Sequence, residues 1–263
     1  MPTIEKNEQR IVREEKISFC NRRGDTLSGV MHHPAAGDPA GAVILCHGME
    51  SYKNSEKLVF LGRQLAQGGV LTLRFDFAYV GESSGKFEEI TYSGEVDDLQ
   101  AAYALVRSRR PGKTAILGSS MGGTVALLFA SQEPTVAGLV TVAAPLHPEK
   151  FPRRILTDAQ LQEWRERGFT YYHGQRLNVS LLEDLDRLNV AAAARAVSCP
   201  VLILHGDADE VVPVEEAYEL SNCLANSKRL SILKDTDHRF SNPAVMQKAI
   251  EEASAWLMDH VRD

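Results

Sequence analysis

The sequence predicts an α/β fold, a mostly parallel, doubly wound sheet with helices on both faces. Three observations carry that expectation. Short apolar runs that read as buried strands alternate with longer helix-forming runs along most of the 263 residues. A Gly-x-Ser-x-Gly pentapeptide stands where one strand turns into a helix, at Gly118-Ser119-Ser120-Met121-Gly122. Two later strands end in polar loops, one carrying Asp209 and the other His238. Loops just past the carboxyl ends of strands are where open α/β sheets place their chemistry.

The elements follow in order. Residues about 10–20 and 26–33 form an expected antiparallel pair, turned at Asn21-Arg-Arg-Gly-Asp25. Residues 42–46 are the first parallel strand, and 55–67 an amphipathic helix ended by Gly68-Gly69. Residues 70–75 are the next strand and 92–109 the next helix, with Arg107, Arg109 and Arg110 at the end whose dipole favours cations. The apolar run 115–117 enters the pentapeptide and a helix leaves it; a strand follows at 136–143. Residues 200–206 and 230–234 are the last two strands, and 243–261 the final helix. Neither an internal repeat nor a low-complexity linker interrupts the pattern.

The segment 146–197 breaks the rhythm, because a single helix normally joins two such strands. It holds Phe151-Pro152, a helix-like run at 158–168, the aromatic group Phe169-Thr-Tyr-Tyr-His173 and a second helix-like run at 181–196. The expected division is therefore a core made of 1–145 and 198–263, with 146–197 as an inserted cap. Trp164, Phe169, Tyr171 and Tyr172 are candidates for lining a pocket beneath it, since large aromatic surfaces enclose acyl or aryl groups well.

The chemistry concentrates at a few positions. A strand–turn–helix around Gly-x-Ser-x-Gly projects a serine hydroxyl from a strained turn, and the small flanking residues permit the close backbone approach. Ser120 is the candidate nucleophile. A serine hydroxyl needs a base within hydrogen-bond reach, and the base needs a carboxylate to orient it. His238, in Asp237-His238-Arg239-Phe240, is the candidate base; Asp209, three residues after Gly206, is the candidate acid. Asp207 is the competing acid on the same loop, and its side chain also suits a bond to its own turn. Asp237 is adjacent to the histidine and poorly placed to reach its Nδ1. Gly81-Glu-Ser-Ser-Gly85 repeats the pentapeptide formally, yet no strand enters it and no apolar helix leaves it. Arg74 and Asp76, just before it, read as a buried support for that turn.

With these residues in view, the chain resembles serine hydrolases of the α/β-hydrolase superfamily, above all bacterial feruloyl (cinnamoyl) esterases and small carboxylesterases with a short helical insert. The likeness rests on Leu45-Cys-His-Gly-Met49, the pentapeptide, His205-Gly-Asp-Ala-Asp-Glu-Val-Val-Pro213 and Asp237 to Phe240. It implies an oxyanion hole made by the backbone N–H groups of Met49 and Met121. It also implies cleavage of carboxylic esters of small acyl or aryl groups, hydroxycinnamoyl groups among them, through an acyl-enzyme. A thioesterase or an acyl-peptide or amide hydrolase on the same triad is the alternative, and a non-catalytic binding protein the more distant one.

Composition narrows the partners. A formal net charge of −6 and the absence of a basic cluster argue against nucleic acid, and 44% apolar residues supply a large core. No apolar run approaches a membrane span, and the polar first ten residues lack the apolar core of a signal peptide. The four scattered cysteines read as reduced thiols, which fits a cytoplasmic setting. The expected partner is a small-molecule ester, with no cofactor and no metal in the scheme; the composition is compatible with a homodimer.

Overall fold

The computed structural model describes residues 12–34, 37–110 and 112–262. The first ten residues, on which the signal-peptide reading rests, lie outside the described residues. An eight-stranded sheet runs in the order β1-β2-β4-β3-β5-β6-β9-β10. Strands β1 (Arg13–Cys20) and β2 (Thr26–His33) are antiparallel to each other, and β2 is antiparallel to β4 (Leu71–Phe75). From β4 onward through β3 (Ala42–Cys46), β5 (Thr114–Ser119), β6 (Val136–Val142), β9 (Val201–Gly206) and β10 (Lys228–Leu233) every pairing is parallel. The parallel strands β3, β4 and β9 are buried throughout; β3 is apolar along its whole length, whereas β4 buries Thr72 and Arg74 and β9 buries His205 near its end. β1, at one edge, alternates between exposed and partly buried residues.

Helices cover both faces. α1 (Glu56–Gln67) and α9 (Pro243–Val261) pack on one, through Leu58, Leu61, Leu65, Ala249, Ala253 and Leu257. α2 (Tyr92–Arg109) and α3 (Met121–Ala130) pack on the other, with α8 (Val214–Cys223) beside them. The side chain of Thr91 accepts the Gly94 N–H at the start of α2, and Asn242 likewise accepts the Ala244 N–H at the start of α9. Helix α8, between the last two strands, is not among the elements expected from sequence: its ten residues, nearly three turns, follow Pro213 and carry Glu215, Glu216 and Glu219.

The segment after β6 differs from the expectation in two ways. It contains α4 (Phe151–Ile155), α5 (Asp158–Arg167), strands β7 (Phe169–Tyr172) and β8 (Gln175–Asn178), then α6 (Val179–Leu185) and α7 (Val190–Ala196). The aromatic group is one arm of a β-hairpin whose turn residues His173 and Gly174 both have positive φ, 48° and 79°. The helix-like run 181–196 is two helices. Asn189 breaks it, because its side chain accepts the Ala192 N–H and so starts a new helix. α5 forms within the helix-like run 158–168, with a Thr157/Gln160 capping box at one end and left-handed Gly168 at the other.

Candidate active site

Ser120 sits between β5 and α3 at φ 52° and ψ −125°, a conformation that a non-glycine residue holds only where its surroundings enforce it. The enforcement is visible in its neighbours. A Cβ on Gly118 would lie 2.2 Å from the Gly122 carbonyl oxygen, and one on Gly122 would lie 2.3 Å from that of His47. Only glycine fits either place. The Ser120 N–H donates to the Val142 carbonyl at 2.8 Å, which pins the turn to β6.

His238 and Asp209 arrive from the loops after β10 and β9. The His238 Nε2 is 3.1 Å from the Ser120 Oγ, and its Nδ1 is 2.8 Å from Asp209 Oδ2. A nitrogen facing a carboxylate carries the proton, so Nδ1–H donates to Asp209 and Nε2 is left to accept from the serine hydroxyl. The other carboxylate oxygen of Asp209 accepts the N–H groups of Val211 and Val212, at 2.9 and 2.8 Å. Burial pushes this carboxyl's pKa up, but hydrogen bonds from His205 and His238, the His238 charge and the Val212 amide outweigh it and hold it well below the usual range. Asp207 is exposed on the same loop. Asp237 turns away to accept the Ser241 N–H at 2.7 Å.

The loop after β3 closes over the serine from the other side. A Cβ on Gly48 would lie 3.1 Å from Ser120 Cβ and 3.7 Å from its Oγ. The buried imidazole of His47 accepts the Phe77 N–H at Nε2, 3.1 Å away, so its Nδ1–H donates to the Gly48 carbonyl at 2.8 Å. Burial lowers the pKa of His47, in keeping with a neutral ring. The Ser51 N–H donates to the same carbonyl at 3.0 Å. Two donors thus hold the C=O end of the Gly48–Met49 peptide, and in a trans peptide the Met49 N–H points the opposite way. Met121 is the first residue of α3, where amides have no acceptor within the helix.

Lys53 anchors the far end of this loop and was not singled out in the sequence, where it sits in a polar stretch without periodicity. It is 2% exposed. Its ammonium bonds Asp76 and Glu82, and its N–H donates to Asp76 Oδ1 at 2.7 Å. Arg74 and Asp76 do not pair with each other. Arg74 instead donates to His32 Nε2, the Lys53 carbonyl and Asn54.

Beside Met49 lies a cavity of about 440 Å³ whose walls include Glu50, Tyr52, Tyr79, Phe87 and His173. None of the four aromatics named from the sequence is among the residues that line it. Trp164 is buried with Leu161 in the core beneath α5. Phe169 lies under the guanidinium groups of Arg167 and Arg176, 4.8 and 4.2 Å from its ring centre. Tyr171 is 61% exposed and meets Phe169 edge-on. Tyr172 stacks on His173 at 4.1 Å and so backs the cavity wall. The period of two along β7 explains the split, since it sends Phe169 and Tyr171 to one face of the hairpin and Tyr172 to the other.

This sheet order, the serine turn and the loops around it are those of the α/β-hydrolase fold, and the family match and the relatives support a hydrolase. Residues 37–167 match the family model described as serine aminopeptidase, S33. Among curated proteins it is similar to the mitochondrial palmitoyl-protein thioesterase ABHD10 of Homo sapiens, 25% identical over 88% of this chain and 76% of that one. Among solved structures it is similar to Est1E from Butyrivibrio proteoclasticus, seen with ferulic acid bound, with a TM-score of 0.83 at 20% identity, covering 93% of this chain and 99% of that one. The esterase domain of a Rhodothermus marinus protein superposes with a TM-score of 0.75 at 25% identity, over 95% of this chain and 99% of that one.

Proposed function

We propose that this protein is a serine carboxylesterase acting on esters of small acyl or aryl groups. The observation that carries the reading is the unbroken chain Ser120 Oγ, His238 Nε2, His238 Nδ1, Asp209 Oδ2, at 3.1 and 2.8 Å. In this scheme Ser120 attacks the ester carbonyl while His238 takes its proton, and Asp209 stabilises the imidazolium. The amides of Met49 and Met121 receive the developing negative charge. His238 then protonates the leaving alcohol. Water, activated by the same histidine, releases the acid and regenerates the serine.

The cavity beside Met49 supports the substrate class. Its volume of about 440 Å³ suits one small acyl or aryl group, and its walls mix aromatic rings with polar groups. Segment 146–197 acts as a cap, contributing His173 to that wall. A thioester is the second reading, favoured by the likeness to a palmitoyl-protein thioesterase.

The test is labelling with a fluorophosphonate, followed by a panel of p-nitrophenyl esters, hydroxycinnamoyl esters, acyl thioesters and aminoacyl amides. Labelling that disappears in Ser120→Ala, with best turnover on short-chain esters and no effect of EDTA, is the expected result. Activity that rises steadily to palmitoyl esters or thioesters would replace the small-pocket reading. Undiminished esterase activity in folded Ser120→Ala would remove the mechanism.

A further inference from the structure

We infer that His205 is a positioning residue for the proposed triad, tuning the proton affinity of His238 through the carboxylate they share. The inference rests on the function proposed above. His205 is the penultimate residue of β9, four residues before Asp209, and its side chain is 1% exposed. Its Nε2 lies 2.9 Å from the Val212 carbonyl oxygen and 3.3 Å from Asp209 Oδ2. Both neighbours only accept, so this nitrogen carries a proton. The N–H donates to Val212, and its positive end also faces Oδ2, the same oxygen that receives the His238 Nδ1–H.

The consequence follows from competition for one oxygen. A carboxylate already facing a second N–H is less basic, so it pulls less on the Nδ1 proton of His238 and stabilises the imidazolium less. The His205 N–H, 3.3 Å from Asp209 Oδ2, helps to lower the Asp209 pKa against the effect of burial. His205 therefore weakens the hold of Asp209 Oδ2 on the His238 Nδ1 proton. The remaining charged groups around His238 are separate from this contact. Glu210 accepts the His238 N–H at 3.3 Å, Lys57 bonds the Arg239 carbonyl, and Asp237 is held by Ser241.

The experiment compares wild type with His205→Leu, which removes the donor, and His205→Gln, whose amide nitrogen takes the place of Nε2. His205→Asn serves as a second variant if the leucine protein does not fold, because its shorter amide stops at the position of Nδ1. The His238 pKa is read by NMR titration of its ring signals, and the acid limb of kcat/KM is read with p-nitrophenyl butyrate. We expect both to move up by roughly half a unit or more in the Leu or Asn variant, with the Gln variant at the wild-type value. An unchanged His238 pKa in a folded Leu or Asn variant overturns the inference, even if turnover falls. Loss of all Ser120-dependent turnover in the wild type would instead sink the proposed function, while the NMR titration still decides the role of His205.

Discussion

Asp209 and Asp207 stand two residues apart on one loop, and their surroundings separate them. The Asp209 side chain is buried and takes two backbone N–H groups on one oxygen and His238 on the other; Asp207 is exposed. Asp209→Asn should lower kcat by about 10³-fold or more, because an amide in that place no longer holds the histidine in the needed tautomer. Asp207→Asn should stay within a few-fold of wild type, and steady-state kinetics on one ester separates the two. Equal effects would mean that the loop as a whole matters rather than the one carboxylate. At this scale much was legible beforehand. Ser120, Asp209 and His238 each sit in a short motif at a strand end, so local sequence marks them. His205 stands in the same motif as Asp209, with its partners four and seven residues further on. Lys53 carries no such mark, because it acquires Asp76 and Glu82 only when loops from different strands meet.

At the scale of elements, the loop after β3 and the β7–β8 hairpin frame the cavity. Lys53 ties the loop to the turn after β4 through two carboxylates, one fully buried and one exposed. Lys53→Met leaves Asp76 buried without its cation and should destabilise the fold by about 3–5 kcal/mol, read as a lowered urea midpoint. Glu82→Gln, at the exposed end of the same network, should lower the urea midpoint far less. The hairpin makes a separate prediction. Tyr172→Ala removes the ring stacked on His173 and should raise KM for aryl esters several-fold while kcat changes little. Tyr171→Ala, on the exposed face, should leave both constants unchanged. Equal behaviour of the two tyrosines would show that the hairpin face does not shape the site. The run that forms α5 was readable in sequence as helix-like. The hairpin was not, since four aromatic-rich residues followed by a short turn fit a pocket wall as well as a strand.

Across the whole molecule, stability should vary with pH through two buried carboxyls of opposite behaviour. Asp209 is held below its ordinary range, so its contribution is present above about pH 4 and is lost as pH falls through its native value. Glu95, on the first turn of α2, is buried, and neither carboxylate oxygen has a hydrogen-bond partner among the described residues. Burial, then the charge of Asp98, pushes its pKa well above the usual carboxylate range. The folded state therefore binds a proton that the unfolded chain releases above about pH 4.5, and stability falls as pH rises from there toward the native value. Glu95→Met should flatten that alkaline decline and raise the melting temperature at pH 8 more than at pH 5. Thermal melts across pH check it, and an unchanged slope would mean that Glu95 does not titrate in this range.

Most of the order of strands and helices, the serine turn and the two polar strand ends with Asp209 and His238 follow from sequence by itself, because periodicity and glycine placement act over a few neighbouring residues. Which strand lies beside which, how the loops of His47, Asp76, His205 and Asp209 interlock, and which face of the hairpin meets the cavity were decided only by the tertiary structure. Those arrangements depend on contacts between residues far apart in the chain. No local pattern encodes where a side chain's partner will be once the sheet has closed.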